Sequence, residues 1–168
     1  AMIIEEAIKT AIEYEIRVRD AYLDNLDKIA DPTGRRVFQV LGDEEQGHID
    51  YLEARLAEWK KTGRVSPKEL STVVPDAKAI EAAMKRLGEH IDMDDSGSRR
   101  KMLEQALSME EETTEFYRSV VNETEEGKVL FQRFIEIEEG HQTIVQAELD
   151  VLNGSGMFFD FLEFNMDH

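Results

Sequence analysis

Two short stretches of the sequence combine residue types that hold metal ions: Glu45-Gln46-Gly47-His48 and Glu138-Glu139-Gly140-His141. In each, a carboxylate and an imidazole stand three residues apart, so on a helix they share a face and can reach one site. A single such pair carries little information. With 24 Glu in 168 residues, about one His in seven has a Glu three places before it by composition alone. Here two of the four His do, and they occupy equivalent places in an internal repeat.

The repeat is the strongest organisational signal in the chain. Ala11, Glu15 and Tyr22 recur 95 residues later as Ala106, Glu110 and Tyr117, while Phe38, Gln39, Glu45, Gly47 and His48 recur 93 later as Phe131, Gln132, Glu138, Gly140 and His141. The offset changes by two inside the loop of a helical hairpin. Each half therefore reads as one hairpin, and two hairpins joined by a long crossover make a four-helix bundle.

The elements that must carry these residues follow from the breakers. Only 3 Pro and 10 Gly interrupt the chain, and the Ala, Leu, Glu and Lys between them favour long helices. A first helix is expected from about Ile3 to Ala30, and a second from Asp31-Pro32, an N-cap followed by proline at the first helical position, to about Lys61. The connection holds a single capped turn at Ser66, Pro67 and Glu69, and a short helix from Pro75 to about Ile91. Asp94 to Ser98 caps a third long helix reaching about Thr124, and a fourth runs from about Glu126 to Leu152. The whole of 1–168 reads as one all-α domain, with residues 153–168 as a tail carrying Phe158, Phe159, Phe161 and Phe164. That tail is expected to plug the bundle or a dimer interface.

A bundle helix presents its core at alternating steps of three and four residues. Written that way, the first helix gives Ile4, Ile8, Ala11, Glu15, Val18, Tyr22 and Ile29, and the second gives Phe38, Leu41, Glu45, His48, Leu52, Leu56 and Trp59. The third gives Leu103, Ala106, Glu110, Thr113 or Thr114, Tyr117 and Val121, and the fourth gives Phe131, Phe134, Glu138, His141, Val145 and Leu152. Each apolar stripe is broken near its middle by a Glu, twice with a His. Four inward carboxylates at one depth repel one another and are costly to bury without compensation. No Lys or Arg lies on the stripes, so the compensating charge is metallic. Two divalent cations supply +4 against −4, with two neutral imidazoles completing the ligand set.

Tyr22 and Tyr117 stand two turns beyond Glu15 and Glu110 on the same faces, where a phenol can hydrogen-bond a ligand carboxylate of a facing helix. His90 and His168 lie off the stripes and are expected outside the site. Glu13, Glu44, Glu111, Glu112 and Glu139 lie beside the stripes and are expected to face solvent. The absence of Cys excludes disulfides, thiolate zinc sites and iron–sulfur clusters and agrees with a reducing, cytoplasmic setting. Oxygen and nitrogen donors suit iron or manganese. A net charge of −17 disfavours nucleic acid and anionic membranes as partners, and no apolar run is long enough for a membrane span. The opening Met2-Ile3-Ile4-Glu5-Glu6 is too acidic and too briefly apolar for a signal peptide.

From about Ile4 to Leu152 this pattern resembles the ferritin-like di-iron carboxylate superfamily, and the layout is most similar to its rubrerythrin-type branch. Carried over position by position, the resemblance implies Glu15 and Glu110 as terminal carboxylate ligands, Glu45 and Glu138 as bridging ligands, and His48 and His141 as terminal imidazoles. Tyr22 and Tyr117 match the tyrosines that support those ligands. The resemblance further implies two iron ions per chain, with manganese or a mixed pair compatible, and reaction with hydrogen peroxide or dioxygen as the irons cycle between ferrous and ferric. Peroxidase, ferroxidase and oxygenase outcomes all occur on such a centre, and a metal-stabilised scaffold without turnover is the alternative from another class. Two features depart from the branch. The chain has neither the length nor the Cys for the rubredoxin domain that delivers electrons, so reductant must come from a donor protein or from Fe²⁺ itself. The additional Glu that rubrerythrins carry three residues after the third-helix ligand is Thr113 here, with Glu112 as the neighbouring carboxylate that could stand in. A homodimer is the expected assembly.

Overall fold

The computed structural model describes residues 3–30, 32–66, 70 and 96–152. Four long helices account for most of them: α1 (Ile4–Leu23), α2 (Pro32–Thr62), α3 (Ser96–Glu123) and α4 (Glu125–Leu152). Pro67 and Glu69 of the expected capped turn, the short helix from Pro75 to Ile91, His90, His168 and the Phe-rich tail all lie outside the described residues.

Local chemistry sets the ends of the helices. Glu5 and Glu6 occupy the first turn of α1, and Glu125 and Glu126 that of α4, where a negative charge meets the positive end of the helix dipole. Pro32 opens α2 at the position where a missing N–H costs nothing. Gly63, with φ of 72°, closes α2 in the left-handed region that glycine enters freely, its N–H reaching Trp59 O at 2.7 Å. The α1 helix stops seven residues short of the expected Ala30. Asn25 Nδ2 takes the Ala21 carbonyl at 2.7 Å, and the chain continues through a single 3₁₀ turn, Leu26–Lys28. An Asn side chain that competes for helix carbonyls favours such a stop.

Only Thr124 separates α3 from α4, and its Oγ1 accepts the Gly127 N–H at 2.8 Å as an N-cap. A Cβ on Gly127 would lie 2.6 Å from Thr124 Oγ1 and 2.7 Å from Val120 O, so this tight joint requires glycine. The main pairings are α1 with α2 and α3 with α4, and α1 against α3 joins the two hairpins.

The core is divided. One apolar cluster holds Ile4, Ile8, Ala11, Leu52, Tyr117, Phe131 and Phe134, and the other holds Val18, Tyr22, Phe38, Leu41, Leu103, Ala106 and Val145. Along every helix the first cluster and the second are separated by the mid-helix Glu. The order of the clusters along each helix makes α1 antiparallel to α2, and α3 antiparallel to α4. Because α2 ends beside the first cluster and α3 starts beside the second, the connection between them joins opposite ends of the bundle. This is the expected all-α four-helix bundle of two repeated hairpins.

Candidate metal centre

Between the two apolar clusters lies a layer of charge. Glu15, Glu45, Glu110, Glu138 and His141 are all 0% exposed and His48 is 1% exposed. Each is delivered by the stripe position that carries it: Glu15 from α1, Glu45 and His48 from α2, Glu110 from α3, and Glu138 and His141 from α4. All six residues expected at the site therefore converge.

They converge as two overlapping sets. Glu15, Glu45, His48 and Glu138 bring one ligand atom each within 4.8 Å of one another, as do Glu45, Glu110, Glu138 and His141. Glu45 and Glu138 belong to both. Glu45 turns Oε2 toward His48 Nδ1 at 3.4 Å and Oε1 toward His141 Nδ1 at 2.7 Å; Glu138 does the same with Oε1 at 3.2 Å and Oε2 at 3.8 Å. Glu15 Oε1 lies 3.5 Å from His48 Nδ1, and Glu110 Oε1 lies 3.4 Å from His141 Nδ1. The imidazole planes are parallel within 3° with centroids 5.8 Å apart, and both rings present Nδ1 to the carboxylates.

The donor set fits divalent cations. Both oxygens of Glu45 and of Glu138, one oxygen each of Glu15 and Glu110, and Nδ1 of both imidazoles have no hydrogen-bond partner among the described residues. Buried polar atoms are normally paired, and eight facing one another across a few ångströms form a ligand set for cations. Protons are the only other compensation available. Burial raises Glu138 well above the carboxylate range, with the charges of Glu110 and Glu45 adding to it, and burial and the charge of Glu45 raise Glu110. Burial works against the charged form of Glu45 too, yet the two imidazoles override it and bring Glu45 to about 2. Burial would lower His48, but the facing Glu45 and Glu138 carry it up to about 10. His141 is raised in the same way by Glu110, Glu45 and Glu44 against burial.

The tyrosines stand where the spacing places them. Tyr22 OH donates to Glu110 Oε1 at 2.9 Å, and Tyr117 OH donates to Glu15 Oε1 at 2.5 Å. Each links α1 to α3, and each phenol is anchored by an aromatic neighbour, Phe38 for Tyr22 and Phe131 for Tyr117. Burial, followed by the adjoining carboxylate charges, keeps both phenols protonated well beyond their ordinary range, so each is fixed as a donor.

Of the five Glu expected at the surface, Glu13, Glu111, Glu112 and Glu139 are exposed, but Glu44 is not. It is 8% exposed and its Oε1 lies 2.9 Å from His141 Nε2. The stripe rule admits only one of two adjacent residues, whereas α2 turns both Glu44 and Glu45 inward. The signal that could have revealed it is Ile137, the apolar residue at the repeat-equivalent position. Glu112 does not stand in for the missing carboxylate at Thr113, because it is exposed and pairs with Arg17 at 3.3 Å. Thr113 and Thr114 are both fully buried and return their hydroxyls to the Met109 and Glu110 carbonyls of their own helix at 2.8 Å.

Residues 25–155 match the family model of the ferritin-like domain. The match spans most of the chain and takes in α2, α3 and α4, so the chain belongs to the ferritin-like domain family. Glu15 and Tyr22 precede the matched span and are joined to the site by geometry. No curated protein and no solved structure matches the chain. Among the described residues, no helix is long and apolar enough to cross a membrane.

Proposed function

We propose that this ferritin-like chain is a rubrerythrin-type di-iron protein that reacts with hydrogen peroxide or dioxygen. The observation that supports it best is the set of unpartnered ligand atoms, four carboxylates and two imidazoles, in two groups sharing Glu45 and Glu138. In this reading Glu15 and His48 would hold one iron and Glu110 and His141 the other, with Glu45 and Glu138, which belong to both groups, shared between them. Four carboxylates balance two divalent cations, and oxygen and imidazole donors without thiolate suit iron or manganese.

A bound iron pair would supply electrons for reduction of the oxidant. The chain's own residues set the conditions. Tyr22 and Tyr117 hold one oxygen each of Glu110 and Glu15 while leaving the other free to shift toward a cation. The apolar clusters on both sides of the layer keep bulk water from the carboxylates, which strengthens their hold on charge. With no Cys among these 168 residues, electrons in this reading come from a donor outside the bundle or from Fe²⁺. A cytoplasmic homodimer is part of the same proposal.

The test is anaerobic reconstitution with Fe²⁺, followed by separate addition of hydrogen peroxide and dioxygen while the ferric oxo-bridge absorbance is recorded. Oxidation faster with peroxide is the expected result. Faster reaction with dioxygen and continued iron uptake beyond two per chain would instead make Fe²⁺ the substrate and the protein a ferroxidase. Iron that binds without reacting with either oxidant would leave a metal-stabilised scaffold.

A further inference from the structure

The two ligand groups are related by the internal repeat in their direct contacts. Tyr22 holds Glu110 as Tyr117 holds Glu15, and Glu45 and Glu138 each give one oxygen to either imidazole. Behind the imidazoles the symmetry fails. His141 Nε2 meets Glu44 Oε1 at 2.9 Å, with the Glu44 side chain 4% exposed. The equivalent of Glu44 in the second half, 93 residues on, is Ile137, buried in the apolar cluster with Leu52 and Phe134. His48 Nε2 is buried without a hydrogen-bond partner among the described residues, and the Phe134 ring stands against the imidazole at 5.3 Å and 73°.

We propose that Glu44 makes the two metal positions unequal, so that the group of Glu45, Glu110, Glu138 and His141 takes the first divalent cation. The proposal rests on the metal-binding reading above and goes beyond it. Glu44 acts as a positioning residue. By accepting from Nε2–H it fixes the ring, and once an arriving cation displaces the Nδ1 proton it holds His141 in the neutral tautomer whose Nδ1 lone pair faces the carboxylates and strengthens Nδ1 as a donor. His48 has no such anchor, so its tautomer and ring orientation are selected only when a cation arrives. Partners of this kind are worth about 10–100-fold in metal affinity, which sets the expected difference between the positions.

Two cations sharing Glu45 and Glu138 repel one another, so a two-step titration would arise even from equal positions. Occupancy at one equivalent is the discriminating quantity. The experiment uses the full chain with ¹⁵N-labelled histidine, titrated with Zn²⁺ and followed by two-bond ¹H–¹⁵N correlation spectra, with signals assigned by His141→Gln. At one equivalent His141 should be in the Nδ1-bound form and His48 free in a ratio of about ten to one or more. Equal occupancy, or His48 filling first, would overturn the proposal.

Glu44→Leu, which copies the apolar character of the second half, should bring that ratio close to one while two Zn²⁺ still bind. An unchanged ratio in that variant would overturn the role of Glu44. If that variant does not fold, Glu44→Gln, which keeps the shape and removes the charge facing His141 Nε2, carries the same test: the ratio should fall, and an unchanged ratio would overturn the role of Glu44. Failure of the wild-type chain to bind any Zn²⁺ would remove the metal-centre reading itself, a result distinct from two ions bound without preference.

Discussion

Ile8, Leu52 and Phe134 at one end of the bundle and Leu103 and Val145 at the other are 0% exposed, and so are Glu15, Glu45, Glu110 and Glu138 between them. Burial is equally complete in the three layers, but its energetic meaning is opposite. Every apolar side chain that leaves water in the end clusters contributes to folding, by about 1.5–3 kcal/mol for a fully buried Leu or Phe. Each carboxylate in the middle layer loses its hydration and recovers that loss only through a cation or a proton. The ends fold the chain, and the middle is a cost that the ends sustain until an ion offsets it.

If that contrast is correct, stability in the middle should depend on metal and stability at the ends should not. The largest expected effect is therefore metal removal. At free Mn²⁺ a thousandfold above its dissociation constant, binding adds about 4 kcal/mol, or about 10 °C in Tm for a domain of this size. Differential scanning calorimetry with and without chelator measures it, and Glu45→Gln with Glu138→Gln should abolish the difference. Next in size is Leu103→Ala in the second cluster. It should cost about 3 kcal/mol, by the same amount with and without Mn²⁺ in chemical denaturation. A loss confined to the metal-loaded protein would break the contrast.

A third change is a pH dependence confined to the metal-free chain. His48 is raised from its ordinary 6.5 to about 10, so the folded chain binds more protons than the unfolded one in that interval. The stabilisation from protonated His48 is complete below 6.5 and is lost as pH rises through about 10. Metal-free Tm should therefore fall between pH 7 and 10, while the Mn²⁺-loaded protein, its imidazoles already deprotonated, should lack this decline. Smallest is Tyr117→Phe, which frees Glu15 from its donor. It should weaken Mn²⁺ binding by about tenfold in calorimetric titration.

Much of this was legible in the residue order because two independent regularities coincide. The 93- and 95-residue offsets give two hairpins, and the three-and-four spacing gives one inward face per helix, so a Glu on that face in each half stands out against Ile8, Phe38, Leu103 and Phe134. What the pattern hides are departures from one inward face. Glu44 is adjacent to Glu45, and only its contact with His141 on another helix shows that α2 buries both. Arg99 is similar: it is fully buried, and its guanidinium packs where a Cβ on Gly34 would come within 3.0 Å. A long cation at the start of α3 reads as surface, and the space that accepts it is made by a glycine distant in sequence. The early end of α1 is a third case, since Asn25 is compatible with a helix until its side chain takes the Ala21 carbonyl.

The central claim is that the middle layer is a dinuclear metal centre, and anomalous diffraction at the iron edge from crystals loaded anaerobically with Fe²⁺ tests it most directly. Two peaks per chain, about 3.5–4 Å apart and lying between Glu45 and Glu138 with one beside His48 and one beside His141, are the predicted result. A single peak, or iron only on the acidic surface with the four buried carboxylates paired through protons, would contradict it.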